Sequence, residues 1–225
     1  MRNRLWLFTI AIAGLILFSC NKKWDKTMEA PIKVAPLITT VTIAGQPLTF
    51  ESIRLNVEYI KIDGERIQSY AIDETNASNA TIDLINGSSL DPFLIPQGTY
   101  TSMNGTLIPK YENAAALRII GTYELANGNT RRVDMAISPN SPIFSNLIDD
   151  DGAETVLVEA DHVKSLILEF DLSKLFGQVN DGLWISANVS NVNGINTIIV
   201  DDYNNTEVGQ ALLDGFAESL QMKFE

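Results

Sequence analysis

From residue 37 to the C-terminus the chain returns again and again to one pattern, apolar and polar side chains in strict alternation. A period of two is the signature of a half-buried strand and cannot place its apolar groups on one face of a helix. In SIRLNVEYIKIDG, Ile53, Leu55, Val57 and Tyr59 share one face while Arg54, Asn56 and Glu58 share the other. Asp63-Gly64 reads as a turn into ERIQSYAID, which predicts a hairpin. A second hairpin is predicted where ALRIIGTYEL, with Leu117, Ile119, Gly121 and Tyr123 in alternation, meets the turn residues 126–129 and returns through Val133, Met135 and Ile137. ITTVTIA, ATIDLI, GTYTSMNGTL, ETVLVEA, SLILEFDL, GLWISANV and NTIIVDD are further strand candidates. Such spacing points to a mainly all-β chain built as an antiparallel sandwich.

Two segments change period. FDLSKLFG offers Asp171 or Ser173 as the cap of a short helical turn ended by Gly177. Near the C-terminus Val208, Leu212, Phe216 and Leu220 recur every four residues, which predicts a short helix over 206–221 packed on a sheet. The competing reading of that end is a last strand in LQMKF after a loop. ISPNSPIFSNLIDDDGAE, residues 137–154, is dense in turn chemistry and reads as a large loop within one domain.

The N-terminus is of another kind. Arg2 and Arg4 precede LWLFTIAIAGLILF, which carries no charge, and Ser19, Cys20 and then Asn21, Lys22 and Lys23 follow. This is the layout of an export signal, and the apolar run is shorter than the roughly 20 residues a spanning helix needs. Leu17, Phe18, Ser19 and Cys20 resemble a bacterial lipobox, so Cys20 is expected to be acylated and to become the mature N-terminus. More than one acyl chain is needed for stable anchoring, which a diacyl or triacyl cysteine supplies. The chain has one cysteine, and a lipid on it accounts for an exported protein without a disulfide partner. The expected organisation is a signal over 1–19, a lipidated end and tether over 20–36 containing Pro31 and Pro36, and one sandwich domain over 37–225.

Charge narrows the partners. Removing the first 19 residues takes away Arg2 and Arg4 as the only charged groups, leaving 14 basic against 28 acidic side chains, a net of −14. Nucleic-acid affinity comes largely from Lys and Arg neutralising phosphates, so a nucleic-acid partner is not expected.

Catalytic and cofactor motifs are sparse. His162 is the lone histidine, which cannot build a several-imidazole zinc site, and no G-x-S-x-G accompanies it as a triad would require. It reads as a surface residue. Phosphate-cradling and dinucleotide fingerprints are absent, so no cofactor is expected. Asp149, Asp151 and Glu154 could offer oxygens to Ca²⁺, but an EF-hand register through Gly152 puts Leu147 first and Val158 last, where carboxylates belong. The simpler reading is an acidic loop tip. Trp184 is the one tryptophan of the folded part, and a glycan-binding face or a paired-carboxylate glycosidase site would be built beside it. Six N-x-S/T matches, from Asn76 to Asn204, read as Asn-rich turn chemistry.

The LFSC tetrapeptide, IRLNVEYIKIDG, the phrase Ile95, Pro96, Gln97, Gly98, Thr99, Tyr100, and the later strand with Leu168, Glu169, Phe170 and Asp171 together resemble small Bacteroidetes-type outer-membrane lipoproteins carrying a sandwich domain of unknown function. The resemblance covers residues 50–180. It implies an immunoglobulin-like or transthyretin-like sandwich at the outer membrane and brings no catalytic residues. Lys22 and Lys23 stand where such proteins often carry an acidic surface-export signal, which leaves both the periplasmic and the surface-facing leaflet open. The expectation is a non-enzymatic envelope lipoprotein that binds or assembles with a protein or glycan partner, with a pilus-related subunit or a glycan hydrolase as alternatives.

Overall fold

The computed structural model describes residues 26–67, 71–76, 79–88, 90–110, 115–139, 141–147, 152 and 155–225; Cys20, Asp149, Asp151 and Glu154 lie outside them. The fold is mainly β, with sixteen strands and three helices in the described residues: β1 (Thr27–Ala30), β2 (Ile32–Val34), β3 (Thr40–Ile43), β4 (Gln46–Arg66), β5 (Ile72–Asn76), β6 (Ala80–Asp83), β7 (Phe93–Pro96), β8 (Gly98–Pro109), β9 (Leu117–Glu124), β10 (Thr130–Ile137), β11 (Ile143–Asn146), β12 (Val156–Val158), β13 (Leu166–Phe170), α1 (Leu172–Leu175), α2 (Asp181–Ile185), β14 (Val189–Val192), β15 (Ile195–Val200), α3 (Thr206–Ser219) and β16 (Leu220–Phe224).

β4 is the spine. It pairs with β8 on one side and β9 on the other, and the main sheet runs β11-β8-β4-β9-β10-β15-β14, with β3, β5, β6 and β12 added at its margins. Alternation explains which face is buried: Leu48, Phe50, Ile53, Leu55, Val133, Met135, Ile198 and Val200 turn inward and are nearly inaccessible. A register shift between Val57 and Tyr59 moves the inward set from Val57 to Ile60 and Ile62, so a β-bulge rephases the strand.

Two structures cover the inner face. Over one part lies a small sheet, β16-β13-β2; β16 comes so close to β8 that a Cβ on Gly105 would stand 2.9 Å from Met222 Cε. Over the other part lies α3, with Val208, Leu212 and Phe216 buried, braced by α1. A Cβ on Gly215 would stand 2.5 Å from the Leu175 carbonyl oxygen, so the approach of α3 to α1 requires glycine. β16 follows α3 directly, which corrects both readings of the C-terminus: the helix stops at Ser219 so that Leu220 and Gln221 are strand, and the segment before LQMKF is helix rather than loop.

Several expectations are corrected. Pairing is not wholly antiparallel: β10 with β15 and β13 with β2 are parallel. β4 passes through Asp63-Gly64 without turning; a Cβ on Gly64 would stand 2.8 Å from the Ser102 carbonyl oxygen, so this glycine permits close cross-strand approach. GLWIS is helical rather than extended, because the Asn180 side chain accepts the Leu183 N–H at 2.8 Å and caps α2. The span 20–36 expected as tether is strand over Thr27–Ala30 and Ile32–Val34, which form β1 and β2 with Met28, Ala30 and Ile32 buried. β1 pairs with β7 and β2 with β13, and Pro31, which lacks an N–H, marks the break between them.

Candidate functional site

The β14–β15 hairpin is exposed at its tip, from Asn191 to Asn196. Asn193-Gly194 makes its turn with positive φ at both residues, 53° and 85°, and Asn191 Oδ1 accepts the Gly194 N–H at 2.9 Å. Both central residues at positive φ match the twist of the flanking strands. β14 ends the main sheet: among the described residues its one ladder partner is β15. Val192 of β14 is left 41% exposed and Ile195, opposite it in β15, 52%.

A groove of about 380 Å³ runs along the outer face beside this edge. Val192, Ile195 and Ile199 make its apolar side, and Arg132, Asp134, Asn193 and Thr197 its polar side. The register brings them together: Arg132 lies opposite Thr197 and Asp134 opposite Ile199 in the parallel β10–β15 pair. Asp134 is held by Arg118, whose Nε and Nη2 donate to its two oxygens at 3.3 and 3.0 Å. That hydrogen-bonded carboxylate also raises the Arg118 pKa above its ordinary value. A two-pronged pair of this kind fixes the orientation of the Asp134 carboxylate at the groove.

The hairpin is anchored from behind by Asn205, which stands at φ 48° just before α3. Its Nδ2 donates to the carbonyls of Asn188 and Ile199, at 3.0 and 2.7 Å, and its Oδ1 accepts the Asn188 N–H at 2.7 Å. Next to it Asp201 organises the turn into α3. Burial would raise its pKa, but hydrogen bonds from the Tyr203 N–H and from the side chain and N–H of Asn204 outweigh this and hold it below the ordinary carboxylate value.

The other sequence-derived sites separate. Trp184, expected as a glycan-facing ring, is 2% exposed and packs edge-on against Tyr123 at 5.5 Å and Phe176 at 6.5 Å. It is a core aromatic, and that corrects the expectation. A groove of about 310 Å³ does hold two carboxylates, Glu169 and Asp171. Both are engaged, for Asp171 caps α1 by accepting from Ser173 and Lys174, and Glu169 lies 3.5 Å from Lys223 Nζ. His162 is exposed, with Nε2 3.8 Å from Glu159 Oε2. Among the described residues no three His, Cys, Asp or Glu side chains come together as metal ligands. No helix of the described residues is long and apolar enough to cross a membrane. The β14 edge escaped the sequence reading, although Asn193-Gly194 between apolar runs is the strongest short-range hairpin signal a chain can carry.

Comparison with family models, curated proteins and solved structures finds no match to this chain.

Proposed function

We propose that the chain is an envelope lipoprotein, anchored at the outer membrane through lipid on Cys20, that binds or assembles with a protein or glycan partner without catalysing a reaction. The observation that carries the binding part is β14, an edge strand with one ladder partner among the described residues, exposed Val192 and Ile195, and a polar-apolar groove alongside. An extended partner segment laid on such an edge gains backbone hydrogen bonds, and alternate side chains then fill the groove. The exposed aliphatics stand where soluble sheets usually place charge to prevent such addition. A pilus-related subunit is the version of this reading in which the added strand belongs to a neighbouring subunit. The immunoglobulin-like or transthyretin-like assignment goes with it, supported by the layering of two sheets and by Tyr100, whose buried ring directs its hydroxyl back to the Pro96 carbonyl at 2.6 Å. Tyrosines that reach back a few residues in this way recur in immunoglobulin-like sandwiches.

A photocrosslinking residue at Ser190, in the full-length protein within intact cells, is expected to give a discrete adduct that Val192→Asp abolishes. A protein present in the envelope at normal abundance yet giving no adduct from Ser190 overturns the proposal.

A further inference from the structure

The anchor and the fold are close together in sequence, and this restricts which part of the domain can meet the bilayer. Resting on the lipid anchor proposed above, we infer that the pole formed by the ends of β4 and β12 and the start of β8 is a second membrane contact, a lipid-facing surface of exposed aliphatic side chains. From Cys20 to Lys26 there are six residue steps. Fully extended they reach about 20 Å. A domain of some 200 residues is about 40 Å across, from a radius of gyration of about 16 Å. The site where the chain enters the fold therefore stays near the headgroups, and the domain cannot turn its far end toward them.

The entry site is well defined. The Lys26 carbonyl accepts the Gln97 N–H at 2.8 Å, and Arg66 Nη1 donates to the Gln97 carbonyl at 2.9 Å. Two residues after Gln97, in β8, lies Thr99. It is flanked by Leu157, its partner in β12, and by Ile67, whose N–H donates to the Thr99 carbonyl at 2.9 Å. Tyr100, Val156 and Val158 point into the core, so the alternate residues Thr99 and Leu157 face outward. The result is a row with Ile67 64% and Leu157 46% exposed, and Val163, 66% exposed, follows the turn after β12. Val163 belongs to the same pole, because the neighbouring Lys164 N–H approaches Met28 Sδ in β1 at 3.3 Å. Aliphatic side chains set at the point where a lipidated segment enters have an apolar phase within reach. Tethering makes even a weak second contact effectively intramolecular, so it fixes orientation without large affinity of its own.

Orientation then connects the two surfaces. Leu48, at the start of β4, lies opposite Tyr123, and Thr122 opposite Arg132, which in turn lies opposite Thr197 beside the β14 groove. Ile67 follows the other end of the same strand. With the Ile67–Leu157 pole on lipid, the β14 edge is held away from the bilayer and open to a partner.

The test uses full-length lipidated protein in phosphatidylethanolamine–phosphatidylglycerol vesicles, with an environment-sensitive fluorophore on Ile67→Cys, Leu157→Cys or, in the β9–β10 turn, Asn127→Cys. Labels at 67 and 157 should emit to the blue and be quenched by spin-labelled lipid, while the label at 127 should not. Vesicle-bound protein with equal quenching at all three positions, or with none, overturns the membrane contact and leaves the anchor intact. Protein that fails to float with the vesicles removes the anchor and, with it, this inference.

Discussion

A chain that begins at Ala35 will show no cooperative unfolding, whereas one that begins at Lys26 will unfold as the full mature chain does. The segment between them, read in sequence as tether, supplies β1 and β2 and buries Met28, Ala30 and Ile32. Burial of a Met or Ile side chain contributes about 1.5–3 kcal/mol. The loss goes further than side chains. β7 would be left without its antiparallel partner and β13 without its parallel one, and the Pro31 carbonyl would no longer accept the Leu166 N–H at 2.9 Å. Against a total stability of about 5–15 kcal/mol, that loss is decisive. Urea titration followed by far-UV circular dichroism reads the difference directly. A shortened chain with a normal transition would mean that the two strands are accessory.

Trp184→Ala is expected to destabilise the protein by about 3–5 kcal/mol, as deletion of a large buried ring does. The indole is the link between α2 and the main sheet, touching Tyr123 of β9 and Phe176 after α1, while Phe176 in turn packs on Phe50 of β4 at 5.5 Å. Trp184→Phe should lose much less. The buried Trp184 Nε1 has no hydrogen-bond partner among the described residues, and an unsatisfied buried donor costs about 1–3 kcal/mol that phenylalanine would not incur. Chemical denaturation of both variants checks this ordering. Equal losses in the two would mean that the N–H is satisfied, and a negligible loss in Trp184→Ala would remove the ring from the core.

The hairpin over residues 117–137 could be read from sequence because its two signals, strict alternation and a turn rich in Asn and Gly, are local and agree. Where local signals conflict, the tertiary context decided. Asp63-Gly64 has turn chemistry, yet Gly64 serves the close passage of β8 and the Asp63 carboxylate accepts from Asn104 on the strand beside it. Trp184 and Ile185 have side chains suited to strands, but the Asn180 cap starts a helix there. TMEAPIKV alternates over its whole length, with Met28, Ala30, Ile32 and Val34 in phase, and the proline between two short strands disguises the pattern. The groove was beyond local reading for a different reason. It needs β10 and β15, some 65 residues apart, to pair in parallel, and no local period encodes that choice.

The proposed anchoring depends above all on the state of one sulfur atom, that of Cys20. Metabolic labelling with a palmitate analogue, followed by mass spectrometry of the mature N-terminus, should find acyl groups on Cys20 and a chain that starts there. Cys20→Ala should then carry no label and leave the envelope fraction. An unlabelled chain, or an alanine variant that fractionates with envelopes as the parent does, would contradict the account.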